Sequence, residues 1–313
     1  MTRTFTASDG VKIAYYVDDF ADPWKPSNAL VMLHAAMGSA KRFYSMVPGF
    51  ARYFHVVRLD TRGHGGSQVP PPDTAMNKQR VMEDVVEALD HLGIDRAHVL
   101  GASAGGYAAQ QLAIHRPGRV KSLALFAATP GFKGEQGRRW LNMAAEQGMR
   151  KAFGDTIGER FPVGDCEQGL VDWFMDEICK NDLAWLARYI GYWTETDFMD
   201  EVEKIRCPTL IVKPGGEPIG LPSLYGEMKK RIKNSELVTY EGARHNVYDY
   251  LPERCVKDTL AFLRKHFPAE LPRSGMSQAD FAEVRRGGGA LEGNPRGAGR
   301  NRHHQGNTRT PAK

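Results

Sequence analysis

The chain has 313 residues, of which 42% are hydrophobic, a length that fits one large α/β domain with an insertion or two small domains. No apolar run approaches the ~20 residues of a membrane span, and the first residues lack the apolar stretch of a secretory signal. The net charge of +5 comes from the residues after 270, and residues 1–270 are neutral, so we expect no nucleic-acid partner. Without a long apolar run, we also expect no membrane partner.

The four cysteines form no C-x-x-C pair. We interpret them as reduced thiols, which are typical of a cytoplasmic protein. The cysteine pattern therefore predicts a cytoplasmic location.

Strand and helix patterns alternate through the first 126 residues. A β-hairpin is predicted over 3–18, with its turn at Ser8-Asp9-Gly10. Apolar runs predict buried strands, and helical spacing predicts helices: strands at 29–33, 54–59, 98–100 and 120–126, helices at 77–92 and 106–114. This alternation is typical of an α/β fold with a mostly parallel, doubly wound sheet.

The alternation lapses from Gly131 to Asp200, where helical segments such as 168–178 and 182–190 replace strands. Four of the five tryptophans lie here. Most of these aromatic side chains are expected to pack with one another, and the rest to line a pocket. The segment therefore predicts a helical cap. It also predicts that the binding partner is a small-molecule substrate with apolar or aromatic character.

Strand and helix patterns resume at 209–213, 224–232, 236–240 and 252–267. After Pro268 the chain is rich in Arg and Gly and is predicted to be disordered. The predicted organisation is a core at 1–130, a helical cap at 131–204, the second part of the core at 205–267, and a basic tail at 268–313.

The segment Gly101-Ala102-Ser103-Ala104-Gly105 reads G-x-S-x-G between a predicted strand and a predicted helix. A nucleophilic serine on a sharp strand-to-helix turn needs small residues two before and two after it. The five residues alone are equally compatible with a Gly- and Ala-rich turn that contains an incidental serine. The rest of the chain has to decide between these interpretations.

A serine nucleophile needs a general base and an acid that orients this base, and in this architecture the chain order is Ser, acid, His. His245 lies between the last predicted strand and the last predicted helix. Glu217 is the only carboxylate in the loop at 214–219, after the preceding strand. We predict a triad of Ser103, His245 and Glu217, with a cap carboxylate such as Asp197 as the weaker alternative for the acid.

Two backbone amides are expected to form the oxyanion hole. One is that of Ala104, directly after the nucleophile, and the other is that of Ala36, in the loop after strand 29–33. His34, which opens this loop, is interpreted as a buried structural histidine. Asp60 and Arg62 are interpreted as scaffold residues that pair with each other and hold their own turn beside the turn that carries Ser103.

Four motifs together resemble the α/β-hydrolase superfamily over residues 1–267: His34-x-x-x-Gly38-Ser39, Asp60-x-Arg62-Gly63-His64-Gly65-x-Ser67, Gly101-x-Ser103-x-Gly105-Gly106 and Gly242-Ala243-Arg244-His245. The segments at 54–65 and 205–208 resemble the 3-oxoadipate enol-lactonase-like and carboxylesterase branch. The resemblance implies the α/β-hydrolase fold with a helical cap. It also implies Asp at the position of Ser103 for haloalkane dehalogenases and epoxide hydrolases, which disfavours both.

These observations predict a serine hydrolase that cleaves a small carboxylic ester or lactone through an acyl-enzyme on Ser103, with no cofactor and no metal. A carbon–carbon bond hydrolase or an amidase can use the same triad and stays open. A small-ligand binding module with the same fold is the non-enzymatic alternative.

Overall fold

The computed structural model describes residues 2–24, 27–131 and 133–271, and the predicted tail lies outside them from residue 272 onward. The strands are β1 (Arg3–Thr6), β2 (Lys12–Asp18), β3 (Asn28–Leu33), β4 (Phe54–Leu59), β5 (Ala97–Ala102), β6 (Val120–Phe126), β7 (Thr209–Pro214) and β8 (Ser235–Tyr240). The α-helices are α1 (Val47–Ala51), α2 (Lys78–His91), α3 (Ala104–His115), α4 (Gln136–Gln147), α5 (Met149–Asp155), α6 (Gln168–Ile178), α7 (Leu183–Thr194), α8 (Pro222–Arg231), α9 (Val247–Tyr250) and α10 (Pro252–His266).

The described strands form one sheet in the order β1-β2-β4-β3-β5-β6-β7-β8. The hairpin β1–β2 and the pair β2–β4 are antiparallel, and every other neighbouring pair is parallel. The central strands β3 and β5 are buried along almost their whole length, as expected of strands that are covered on both faces. The predicted α/β fold with a mostly parallel sheet is therefore confirmed.

Two hydrophobic clusters cover the two faces of the sheet. Successive side chains of a strand point to opposite faces, so Val31 and Leu33 of β3 lie in one cluster while Leu30 and Met32 lie in the other. The first cluster includes residues of α2, α3 and the helices between β6 and β7, and the second includes residues of α1 and α10. Among the described residues, no helix is both long and apolar enough to cross a membrane.

The helices α4 to α7 form an insertion between β6 and β7. Its two ends meet, because Gly131 forms a bridge with Asp197 and the Phe198 amide donates to the Pro130 carbonyl over 3.0 Å. A Cβ at Gly131 would lie 2.1 Å from the Thr196 carbonyl oxygen, so only glycine allows this approach. The insertion has the helical character that its sequence predicts, while the exact boundaries of the cap stay a prediction.

The expected pairing of Asp60 with Arg62 is wrong. The carboxylate of Asp60 accepts the backbone amides of Ala40 and Gly66, over 2.6 and 2.8 Å. The guanidinium of Arg62 instead donates twice to Asp84, over 2.6 and 2.7 Å, and once to Asp9. A bidentate pair satisfies the planar guanidinium better than one neighbouring carboxylate on the same turn does. The pair joins the turn to α2.

The first turn of α3 packs directly against the backbone of the sheet. A Cβ at Gly105 would lie 2.1 Å from the Leu33 carbonyl oxygen of β3. A Cβ at Gly101 would lie 2.6 Å from the Cα of Gly106, across the turn between β5 and α3. These contacts involve backbone atoms that no rotamer change can move, so both glycines are required by the close approach.

Replacing Gly105 with alanine is expected to destabilise the fold. The new methyl group overlaps the backbone of β3, and the Gly105→Ala protein should lose about 2 kcal/mol or more of its free energy of unfolding in urea titrations. Gly169→Ala is the matched control, because Gly169 is also the second residue of a helix, α6, and its Cβ would meet nothing within 4 Å. This control should gain up to about 1 kcal/mol. Equal stabilities of the two variants would contradict the packing argument.

Candidate active site

Ser103 lies on the turn between β5 and α3 with φ of 49° and ψ of −117°. A non-glycine residue with positive φ is strained, and such strain persists only where surrounding structure holds it. Here the Ser103 amide donates to the Phe126 carbonyl over 2.9 Å, and the Ser103 carbonyl accepts the Gly106 amide over 2.8 Å. The turn therefore has the geometry of a nucleophile elbow, with a side chain that lines a cavity between the sheet and the inserted helices.

Ser103, His245 and Glu217 form a continuous chain of hydrogen bonds. The Ser103 hydroxyl Oγ is 3.0 Å from His245 Nε2, and His245 Nδ1 is 2.8 and 3.0 Å from the two carboxylate oxygens of Glu217. An ionised carboxylate only accepts hydrogen bonds, so Nδ1 carries the ring proton. Nε2 is then free to accept the serine hydroxyl proton. The structure brings these three sequence-predicted residues together.

The carboxylate of Glu217 is enclosed by donors. It accepts the backbone amides of Ile219 and Gly220, over 2.8 and 3.0 Å, and the hydroxyl of Tyr225 over 3.3 Å. Burial raises the pKa of Glu217, but the positive charge of His245 in its protonated form, the hydrogen bond from His245 and the bonds from the two amides outweigh this effect, so this pKa lies below its ordinary value. Glu217 is therefore held ionised beside the imidazole. Sequence reasoning did not find Tyr225, because nothing marks this helix residue as facing the site.

Two glycines bring the loop of Glu217 close to the loop of His245. A Cβ at Gly215 would lie 2.8 Å from the Cα of Glu241, and one at Gly216 would lie 3.0 Å from the Gly242 carbonyl oxygen. Asp197, the alternative acid, accepts the Met199 amide over 3.0 Å at the base of the insertion. The structure thus brings Glu217, rather than Asp197, within hydrogen-bonding distance of His245.

Ala36 and Ala104, the predicted oxyanion donors, line the same cavity as Ser103. The Ala104 amide is at the first position of α3, where an N–H has no acceptor within the helix and the helix dipole is positive. Ala36 sits in a tight turn in which the Gly38 amide donates to the Ala35 carbonyl over 3.1 Å and Met37 has φ of 63°. Both residues therefore lie at the cavity wall with Ser103, and their role as oxyanion donors stays a prediction.

His34 is buried behind this wall. It donates from Nδ1 to the Ala35 carbonyl over 2.7 Å and accepts the Thr61 amide at Nε2 over 2.9 Å. Burial lowers the pKa of His34 to about 4, so the ring is neutral at physiological pH. These contacts agree with the structural interpretation of His34.

A cavity of about 50 Å³ lies above Ser103. Its apolar wall comes mostly from the inserted helices and contains Trp140, Phe174, Ile190 and Trp193. Its polar wall also includes Arg42, Arg160 and Asn246, which sequence reasoning did not find. Asn246 was detectable as the neighbour of His245, whereas nothing in the sequence distinguishes Arg160 from other cap arginines.

Within residues 2–24, 27–131 and 133–271, no group of three or more His, Cys, Asp or Glu side chains is placed to hold a metal ion.

Comparison with known proteins finds similarity to α/β hydrolases. A family model described as alpha/beta hydrolase fold matches residues 28–155. A proline iminopeptidase of Clostridium botulinum is 27% identical, over 76% of this chain and 90% of that protein. A 3-oxoadipate enol-lactonase 2 of Acinetobacter baylyi is 25% identical, over 69% of this chain and 79% of that protein.

A solved structure of similar fold is the crystal structure of a hydrolase from Pseudomonas aeruginosa PA01, with a TM-score of 0.73 and 26% identity, covering 84% of this chain and 98% of that one. An enol-lactonase is among the relatives, but its 25% identity to this chain is no higher than the 27% of the iminopeptidase. The relatives therefore do not single out the enol-lactonase branch. The sheet, the elbow and the relatives agree with the resemblance of the motifs, and together they support membership of the α/β-hydrolase superfamily.

Proposed function

We propose that this hydrolase cleaves a small carboxylic ester or lactone through an acyl-enzyme on Ser103. The observation that carries the proposal is the unbroken hydrogen-bond chain from Ser103 Oγ to His245 Nε2 and from His245 Nδ1 to Glu217. A serine hydroxyl is a weak nucleophile unless a base accepts its proton. An imidazole with a fixed tautomer and an ionised acid behind it meets that need.

In the proposed first half-reaction, Ser103 Oγ attacks the substrate carbonyl while His245 Nε2 accepts its proton. The amides of Ala36 and Ala104 donate to the oxyanion that develops, and Glu217 stabilises the imidazolium. When the tetrahedral intermediate collapses, the carbonyl re-forms and the bond to the leaving oxygen breaks. His245 returns its proton to that oxygen, so the acyl group stays on Ser103 and an alcohol leaves. With a lactone, the alcohol and the acyl group belong to one molecule, so the freed hydroxyl stays attached to the acyl-enzyme.

In the proposed second half-reaction, a water molecule takes the place of the leaving group. His245 Nε2 removes a proton from the water as its oxygen attacks the acyl carbonyl. The same two amides hold the second oxyanion, and collapse breaks the bond to Ser103 Oγ. The proton moves from His245 to the serine, which restores the enzyme and releases the carboxylic acid.

The cavity supports a substrate with an apolar or aromatic part. The side chains of Trp140, Phe174 and Trp193 face the space above the nucleophile. Aromatic walls of this kind bury apolar ligand surface well, and a few polar groups then fix orientation. The free state of all four cysteines is compatible with the predicted cytoplasmic location.

Amide cleavage is the second candidate, and the observation that favours it is the similarity to a proline iminopeptidase. The same triad can serve it, because His245 would then protonate a leaving nitrogen instead of an oxygen. Turnover of aryl amides beside matched aryl esters separates the two candidates. The carbon–carbon hydrolase alternative has no observation of its own in its favour, and membership of a hydrolase family disfavours a pure binding module.

Removal of the nucleophile should abolish turnover and leave the fold intact. The Ser103→Ala protein is expected to lose about 10⁴-fold or more in kcat on p-nitrophenyl esters, because no other hydroxyl is bonded to His245 Nε2 within the described residues. A fluorophosphonate probe should label the wild type and not this variant.

Ser223→Ala is the control for this experiment, since Ser223 is an exposed residue of α8. It should keep wild-type activity and labelling. Wild-type ester hydrolysis by the Ser103→Ala protein would rule out the acyl-enzyme.

The Glu217→Gln substitution should lower kcat by about 10³- to 10⁴-fold. The amide can donate to Nδ1 and stabilise the wrong imidazole tautomer, and it carries no charge to stabilise imidazolium. Steady-state kinetics on one p-nitrophenyl ester measures the effect, and Glu241→Gln, an exposed change just before the His245 loop, should leave kcat unchanged. Equal activities of the two variants would show that Glu217 is not the acid.

Stability should depend on pH through Glu217. Its pKa is lowered in the folded protein, so its contribution is complete above the unfolded pKa of about 4.3 and is lost as pH falls through the folded pKa. Glu217→Gln does not titrate at this site. The difference in unfolding free energy between wild type and this variant should therefore shrink as pH falls below about 5 in urea titrations. If the difference in unfolding free energy grew toward low pH instead, the pKa of Glu217 would not be lowered in the folded protein.

A further inference from the structure

Arg160 is a buried cation in the wall of the cavity that contains Ser103. Arg160 is 2% exposed. Its guanidinium lies over the rings of Trp140 and Phe153, 4.4 and 5.1 Å from their centroids. Nη1 donates to the carbonyl and the hydroxyl of Thr156, over 3.3 and 3.2 Å. Nη2 is buried and has no acceptor among the described residues. A strong hydrogen-bond donor is therefore left unused at this position.

The charge of Arg160 is weakly compensated. The carboxylate of Glu159 lies 3.9 Å away, and this group already accepts from Arg139 over 2.8 Å and from Trp140 Nε1 over 3.1 Å. The other arginine of the cavity, Arg42, differs because a buried carboxylate compensates its charge: Nε and Nη2 donate to Asp249, and Nη2 also donates to the Tyr248 hydroxyl. Burial lowers the pKa of Arg160 to about 10, so it remains cationic at neutral pH.

Asn246, which lines the same cavity, holds a second unused donor. Asn246 is 2% exposed, and its Oδ1 accepts the Tyr248 hydroxyl over 3.3 Å, which assigns the other amide atom as Nδ2. Nδ2 is buried and has no acceptor within the described part of the chain. The Asn246 backbone amide donates to the Arg160 carbonyl over 3.1 Å, so the two residues are direct neighbours.

We propose that Arg160 and Asn246 form a subsite for a carboxylate of the substrate, so that the ester or lactone carries an anionic terminus. A carboxylate has two oxygens that only accept, and it suits a guanidinium donor beside an amide donor. It also supplies the negative charge that the buried cation lacks. Because Asn246 follows His245 directly, the carboxylate and the scissile carbonyl share one cavity and the substrate is short. This inference rests on the proposed function and names its substrate class.

The experiment compares matched esters with and without the terminal carboxylate. The anionic series is the mono-p-nitrophenyl esters of adipic, pimelic and suberic acids, and the neutral series is the p-nitrophenyl esters of hexanoic, heptanoic and octanoic acids. The wild type should show about 10-fold or higher kcat/KM on at least one anionic ester than on its neutral partner. The Arg160→Met substitution should lower that value by about 10- to 100-fold and change the neutral value by less than about 3-fold.

Two further variants separate recognition from packing. Arg138→Met is the matched control, because Arg138 is a half-exposed cap arginine of α4 that pairs with Glu135 and Glu195; it should leave both series unchanged. Arg160→Lys keeps the charge but loses the planar fork, and it should lie between wild type and Arg160→Met on the anionic series only. If Arg160→Met does not fold by circular dichroism, Arg160→Lys carries the same comparison.

The possible results distinguish this inference from the proposed function. Turnover of neutral esters with no preference for any monoester, or an equal loss on both series in the Arg160 variants, would overturn the carboxylate subsite alone. If no ester is turned over and no probe labels Ser103, the proposed function fails, and binding still tests the subsite. In that case hexanoate should raise the Tm of the Ser103→Ala protein more than hexanamide does, and Arg160→Met should abolish the difference. Equal shifts would overturn the subsite.

Discussion

The close approach of α3 to the sheet is the constraint on which the rest of the site depends. The helix begins so near β3 that Gly105 has no space for a side chain, and the turn that leads into it holds Ser103 at positive φ. The same approach sets the Ala104 amide at the free end of the helix. One packing requirement therefore presents the hydroxyl and one of the two proposed oxyanion donors together, on backbone that is rigid rather than on a mobile loop.

The inserted helices also contact the loop of the histidine. The carbonyls of Glu159 and Arg160 accept the amides of His245 and Asn246, over 3.4 and 3.1 Å. The segment that lines one wall of the cavity is thus hydrogen-bonded to the loop that carries the proposed base. A displacement of this segment would change the cavity and the position of the imidazole at once, which links the choice of substrate to the alignment of the proposed triad.

The sequence was sufficient for the sheet and for the proposed triad, because these depend on local rules. Buried parallel strands are continuous apolar runs, and Ser103, Glu217 and His245 each follow a strand in a fixed chain order. The partner of Arg62 and the donors around Arg160 depend on which side chains meet across distant segments. No periodicity encodes such meetings, so the pairing of Asp60 with Arg62 was predicted wrongly and the polar wall of the cavity was missed.

Ser103 is proposed to carry the acyl group during turnover. Acid quenching during the first turnovers of a p-nitrophenyl ester, followed by mass spectrometry of the digested protein, detects such an intermediate. The peptide that contains Ser103 should gain the mass of the acyl group, in an amount that rises in step with the burst of released p-nitrophenol. An acyl group on any other residue during productive turnover would show that Ser103 is not the nucleophile.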